Sequence, residues 1–370
     1  MSIDPNDLPI REDLKGVAEY GAPMLDVAVQ INTNENPSPP AEELVAEISE
    51  LVAQAATTLN RYPDRDAIEL RTALAEYITQ QSAIPGQLIE VDNVWVANGS
   101  NEVLQQLLQV FGGAGRLALG FEPTYSMHKI ISRGTQTDYL SITRDGNYGI
   151  PIEEAVSEIR SKRPAVVFVC SPNNPTGTST PLEDIATIYD AIVETDTGVL
   201  IVDEAYVEFS HQDSAVTLLP KRPRLIVSRT MSKAFAYAGA RIGYCVADPA
   251  VIEVIKRVRL PYHLSAVTQA VGIAALRHVE AQLRAVEELK VQRDRIFEAA
   301  RVSGFQPVPS DANFVLIEGF EDPSSAWQTL LDQGILVRDV GLPGCLRVTA
   351  GTIEETSAFV DALAKLAPTN

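Results

Sequence analysis

Six short apolar runs punctuate the chain: "VWVA" at 94–97, "RLALG" at 116–120, "AVVFVC" at 165–170, "GVLIVD" at 198–203, "RLIVSR" at 224–229 and "IGYCVA" at 242–247. Their apolar residues follow one another without alternation, so both faces of each strand must be covered. A strand wetted on one face would alternate with period two instead. Between and around the runs, amphipathic helical patterns fall at 41–57, 64–80, 100–111, 151–161 and 182–193. Strands alternating with helices in this way build an α/β fold with a mostly parallel sheet clothed on both faces.

Beyond that sheet, a proline-free helical stretch from about 263 to 302 reads as two helices or one long bent one. "FVLIEGF", "WQTLLDQG", "ILVRDV" and "CLRVTA" follow, with a last helix from about 353, and suggest a second, smaller α/β unit. The proline-rich "NENPSPP" at 34–40 marks where an N-terminal arm joins the main body. A chain of 370 residues accommodates about two such domains.

Charge and composition exclude several function classes. Lys and Arg number 30 against 49 Asp and Glu, a net charge of −19 that disfavours nucleic acid and anionic membrane surfaces as partners. A small anionic substrate stays compatible with it, because a few arginines reverse the potential inside one cleft. No apolar run approaches the ~20 residues that span a bilayer. The N-terminal residues lack an apolar signal core, so a cytoplasmic protein is expected. Cys170, Cys245 and Cys345 lie in or beside apolar runs and read as buried, reduced thiols. His128, His211, His263 and His278 lack metal-ligand spacing and read as structural or surface residues, with no metal expected.

Ligands of open α/β sheets sit beyond the carboxyl ends of the strands, so the residues after each run carry the functional information. After "VWVA" comes "NGSNEVLQQLL", where Gly99 and Ser100 open a helix whose free N–H groups suit an anion. After "AVVFVC", the proline-stiffened "SPNNPTG" presents Asn173 and Asn174. "DEAY" places Asp203 at an apolar strand end, where a carboxylate needs a partner, and Tyr206 three residues on. "RTMSK" brings Lys233, with Arg241 eight residues later. The glycines of "FGGAGRLALG" at 111–120 precede a strand instead of following one, and read as a turn. Taken singly, each of these also fits an ordinary cap, turn or core residue. Jointly they offer an anion cradle, an amide, a carboxylate with a phenol, and a lysine. That set suits pyridoxal 5'-phosphate: the lysine bonds its carbonyl carbon, the aspartate pairs with its ring nitrogen, and the helix start with serine and arginine holds its phosphate.

In order along the chain, "NENP", "NRYPD", "NGSNE", "PNNPTG", "DEAY", "RTMSKAFAYAGARIGY" and "LRVTAGT" resemble the fold-type I pyridoxal-phosphate aminotransferases, and among them the histidinol-phosphate aminotransferase family. The resemblance runs nearly end to end. It implies an N-terminal arm over 1–35 packing with a small domain over 266–370, and a large cofactor-binding domain over 36–265. It implies that Lys233 forms the Schiff base and moves the proton, that Asp203 pairs with the ring nitrogen, and that Asn174 and Tyr206 donate to the phenolic oxygen. Tyr125 would stack on the ring. Gly99, Ser100, Thr230, Ser232 and Arg241 would cradle the phosphate, with Asn101 beside them.

Tyr62 would reach the cofactor phosphate of a neighbouring subunit, which implies a homodimer with shared active sites. Arg347 matches the residue that binds the substrate carboxylate and Arg338 the one that meets the substrate phosphate, both suited to a guanidinium fork. Tyr20, Asn34 and Tyr262 fall where the family surrounds the rest of its substrate. The implied reaction moves an amino group between L-glutamate and imidazole-acetol phosphate, giving 2-oxoglutarate and L-histidinol phosphate, in histidine biosynthesis. An aromatic or broad-specificity aminotransferase, or a decarboxylase of the same fold, would share the cofactor motifs. A non-enzymatic regulator would carry an added basic DNA-binding segment, whereas the residues before about 32 are acidic overall.

Overall fold

The computed structural model describes residues 3–17, 19–82 and 88–366. β1 (Val29–Gln30) lies in the N-terminal arm, followed by helices α1 (Glu42–Ala56) and α2 (Ile68–Ser82). Next come β2 (Val94–Ala97), α3 (Ser100–Phe111), β3 (Leu117–Glu122), α4 (Met127–Gly134) and β4 (Asp138–Thr143). The middle of the chain forms α5 (Ile152–Lys162), β5 (Val166–Cys170), α6 (Leu182–Thr195), β6 (Val199–Asp203), β7 (Leu225–Thr230), β8 (Gly243–Ala247) and α7 (Pro249–Ile255). The last part holds α8 (Ala266–Arg277), α9 (Val279–Val302), β9 (Gln306–Pro307), β10 (Phe314–Glu318), α10 (Pro323–Asp332), β11 (Ile335–Leu336), β12 (Arg338–Asp339), β13 (Cys345–Thr349) and α11 (Ile353–Leu363).

Seven strands form the main sheet in the order β2-β8-β7-β6-β5-β3-β4, parallel except for β8, which runs against both its neighbours. Every residue of β5, β6 and β7 is buried. Alternate residues enter opposite cores: Val167, Val169, Leu200 and Val202 pack in one, while Val166, Phe168, Val199 and Ile201 pack in the other. The unbroken apolar runs are thereby explained, since neither face of these strands meets water. β4 has no such run. It is the edge strand, only Ile142 within it is buried, and its polar "DYLSIT" conceals it from a search for apolar stretches.

The helical stretch from 263 is two helices broken at His278. Ser265 caps the first by accepting from the Thr268 N–H. β12, β13, β10 and β9 form a separate four-stranded antiparallel sheet. The N-terminal arm reaches this region twice: β1 pairs in parallel with β11, and Ile31 O accepts from the Thr349 N–H at 3.0 Å. Residues near 30 and near 349 are thereby brought against the carboxyl ends of the main sheet. Among the described residues, no helix is long and apolar enough to cross a membrane.

Candidate active site

The carboxyl ends of β2, β5, β6 and β7 face the arm and β13 across a cavity of about 430 Å³. Ser100, Asn101, Tyr125, Asn174, Asp203 and Tyr206 line it from the main sheet, as do Thr230, Ser232, Lys233 and Arg241. Tyr20 and Asn34 enter from the arm, and Arg338 and Arg347 from the smaller sheet. The structure therefore gathers fourteen of the seventeen residues that the family resemblance assigns to the site. Gly99 lies directly beneath Arg241, and Tyr62 and Tyr262 lie outside the lining.

Lys233 follows β7 through a short turn, and its Nζ donates to Thr33 O at 3.1 Å. Burial first, then the Arg347 cation, lowers its pKa to about 8; Arg241 pushes the same way and Glu35 opposes them. Asp203 ends β6. His128 Nε2 lies 3.0 Å from its Oδ2, while Oδ1 is buried without a partner. His128 is itself held by stacking on Phe168 at a 4.6 Å centroid separation, with Tyr125 edge-on at 5.7 Å. This contact has no local signature, because His128 and Asp203 are 75 residues apart and α4 lacks a long apolar stripe.

The turn from β2 to α3 is tightly built. Gly99 has φ +86°, and a Cβ there would stand 2.5 Å from Arg241 Nη2. Arg241 Nη1 donates to Ala238 O at 2.9 Å. Thr230 Oγ1 accepts from the Ser232 N–H at 3.1 Å and lies 3.0 Å from Ser232 Oγ, which ties the end of β7 to the loop before Lys233. The first N–H groups of α3 and its dipole add positive potential at the same place.

Tyr206 Oη accepts from Asn34 Nδ2 at 2.9 Å, and Asn34 Oδ1 accepts from Thr349 Oγ1 at 2.9 Å. Both ends of the Asn34 amide are thus engaged inside the protein, although the motif had suggested contact with substrate. Arg347 Nη1 donates to Asn174 Oδ1 at 2.6 Å and Nη2 to Asn32 O at 2.8 Å. With its oxygen so occupied, Asn174 has its Nδ2 left to offer. The Arg347 guanidinium lies 5.2 Å from the Phe314 ring centroid, and burial lowers its pKa to about 10. Arg338 reaches Gly21 O with both terminal nitrogens, at 3.3 Å each. Tyr62, 78% exposed, stacks on Tyr262 at 4.2 Å.

These groups fit pyridoxal phosphate. The unpartnered Asp203 Oδ1 can accept from a protonated ring nitrogen, Tyr125 offers an aromatic ring, and Ser100, Ser232 and Arg241 line the cavity with donors for a phosphate. A lysine whose amine loses its proton near pH 8 suits covalent capture of a carbonyl.

Comparison with known proteins agrees with this chemistry. The family described as aminotransferase class I and II matches residues 26–363. The chain is 53% identical over 364 residues to a histidinol-phosphate aminotransferase of Mycobacterium sp. (strain JLS), covering 98% of this chain and 95% of that one. It is 53% identical over 369 residues to the enzyme of that name from Corynebacterium glutamicum (strain R), covering 100% and 99%. Among solved structures, the histidinol-phosphate aminotransferase of Sinorhizobium meliloti in complex with pyridoxal-5'-phosphate superposes with a TM-score of 0.81 at 26% identity, over 92% of this chain and 91% of that one. Fold, site and relatives agree, and the chain belongs to the class I and II aminotransferases.

Proposed function

We propose that the chain transfers an amino group reversibly between L-glutamate and imidazole-acetol phosphate, producing 2-oxoglutarate and L-histidinol phosphate, with pyridoxal 5'-phosphate as cofactor. The observation that carries this reading is that Arg338 and Arg347 share one cavity with Lys233 in a protein of net charge −19. Two guanidinium groups in such a chain suit substrates that carry a carboxylate or a phosphate. The names of the full-length relatives support the choice of substrate.

When bound, the cofactor supplies an electron sink for the carbon that loses its proton. Asp203 Oδ1 accepts from the ring nitrogen and keeps it protonated, with His128 steadying the other oxygen. Tyr125 covers the ring face, while Asn174 Nδ2 and the Tyr206 hydroxyl donate to the phenolic oxygen. Gly99, Ser100, Thr230, Ser232 and Arg241 hold the phosphate, and Asn101 sits beside them. Lys233, as a neutral amine, would take the proton from the substrate carbon and deliver it two atoms away, across the nitrogen, to the cofactor. Arg347 orients the substrate carboxylate, Arg338 the substrate phosphate, and Tyr20 closes the cavity from the arm.

The exposed Tyr62–Tyr262 stack supports a homodimer in which Tyr62 reaches the phosphate of the second copy and Tyr262 its substrate. We divide the chain into an arm over 1–35, a large domain over 36–265 and a small domain over 266–370, and place it in the cytoplasm. Three free, buried thiols support a reducing compartment.

The test gives the loaded protein histidinol phosphate, phenylalanine and aspartate separately and follows the cofactor's visible spectrum. Rapid conversion by histidinol phosphate supports the assignment; rapid conversion by phenylalanine with none by histidinol phosphate would overturn it. Lys233→Ala should bind the cofactor reversibly, without the covalent visible band, and should lose turnover by a factor of at least ~10³.

A further inference from the structure

Tyr206 serves the cofactor's phenolic oxygen only as a donor, and a phenol has a single proton to give. We propose that Thr349 and Asn34 fix the direction in which Tyr206 gives that proton, which makes both of them positioning residues for the cofactor. The inference rests on the reading of Tyr206 stated above.

One group in this chain of bonds has a fixed polarity. The backbone N–H of Asn34 lies 3.1 Å from Thr349 Oγ1 and can only donate, so the threonine oxygen accepts. The Thr349 hydroxyl proton must then go elsewhere, and Asn34 Oδ1 stands 2.9 Å away to receive it. An amide whose oxygen faces Thr349 turns its nitrogen the other way. Asn34 Nδ2 lies 2.9 Å from Tyr206 Oη. That nitrogen can only donate, so the tyrosine oxygen is the acceptor in this bond. The phenolic proton is left for the remaining direction, which is the cavity that Tyr206 lines.

Little can reset these polarities from outside. Thr349, Asn34 and Tyr206 are 3%, 1% and 4% exposed, too little for water to compete at each bond. Asn34 sits in the left-handed region at φ +56°, and Asn313 Nδ2 holds its carbonyl at 3.1 Å. Asparagine tolerates that backbone better than most side chains. On β13, Thr349 and Arg347 are two residues apart and leave the same face of the strand. The strand that presents the anion-binding arginine thus also sets the donor direction of Tyr206, through a residue of the arm.

The test reads the pH midpoint of the visible absorbance of cofactor-loaded protein, with cofactor dissociation by dialysis as a second readout. A donor at the phenolic oxygen stabilises its negative charge and weakens the hold of the neighbouring nitrogen on a proton, so losing the donor raises the midpoint. Thr349→Val keeps the side-chain shape, removes the hydroxyl, and should raise the midpoint by about 0.5–1 pH unit while loosening the cofactor several-fold. Thr349→Ser, which retains the hydroxyl, should restore wild-type behaviour. Asn34→Asp offers Tyr206 an acceptor, turns its proton inward, and should raise the midpoint at least as far; it tests the same polarity through another residue should the valine variant fold poorly.

In a Tyr206→Phe background the Thr349→Val shift should vanish, because there is no proton left to direct. A midpoint unmoved by T349V and N34D but moved by Y206F overturns the relay alone. A T349V shift that persists undiminished with Y206F also overturns it. A midpoint that Y206F leaves unmoved overturns the donor role of Tyr206 and the relay with it.

Discussion

In its proposed role Lys233 would capture a carbonyl only as a neutral amine, and burial and the nearby Arg347 cation lower its pKa to about 8. The rate at which pyridoxal phosphate bonds to cofactor-free protein should therefore rise with pH through a midpoint near 8, followed by the growth of the visible band. A midpoint near the ordinary lysine value of ~10.4 would contradict the role of the surroundings. The same lowering has a sign for stability. A lysine with a depressed folded pKa opposes folding most where it is charged in both states, below pH 8, and not at all above the unfolded value. Lys233→Met should thus stabilise the cofactor-free protein at pH 7, with an advantage that fades between pH 8 and ~10.4 in thermal melts. Among single residues, those at strand ends could be read from the sequence, because each follows an apolar run directly. His128 and Thr349 could not. Their partners are 75 and 315 residues away, and neither has a local pattern that records a contact made across the fold.

Helices and strands supply the precision that single residues lack. The β2–α3 turn brings Gly99, at φ +86°, under Arg241, and Gly243 of β8 leaves no room for a side chain against the Gly99 and Ser100 backbone. Gly99→Ala should strain the backbone by ~1 kcal/mol or more and displace Arg241. Cofactor affinity measured by equilibrium dialysis should fall roughly 10–100-fold, as expected for a charge-assisted hydrogen bond lost or misdirected. A second brace crosses the ends of β6 and β7. There Arg229 Nε donates to Glu204 Oε2 at 3.0 Å, and the Ser214 hydroxyl donates to the same oxygen at 2.7 Å. This buried pair sits one residue from Asp203 and one from Thr230, so it ties together the strand ends from which both residues enter the cavity. The elements legible in the sequence were those buried on both faces or amphipathic over three turns. β4, half wet at the sheet edge, and α4, only eight residues long, were missed because a short or edge element leaves too few apolar positions to form a pattern.

At the scale of the whole molecule, the arm, the main sheet and the smaller sheet each contribute to one cavity, and the exposed Tyr62 and Tyr262 lie outside its lining. If two copies share their sites, mixing two inactive variants restores function. Lys233→Ala and Tyr62→Ala, unfolded together and refolded at equal amounts, should recover about a quarter of wild-type turnover, because half the dimers are mixed and each has one intact site. Recovery of nothing would place Tyr62 in its own chain's site, and full activity of Tyr62→Ala by itself would place it in none. The two cavity arginines also differ in how freely they can change. Arg347 is bonded to Asn174, so altering it would disturb the amide proposed to meet the cofactor. Among the described residues, the Arg338 guanidinium hydrogen-bonds to the carbonyl of Gly21 in the arm. New substrate preferences are therefore best sought by redesigning Arg338 together with the Tyr20–Gly21 segment, where recognition can drift while the catalytic apparatus stays as it is.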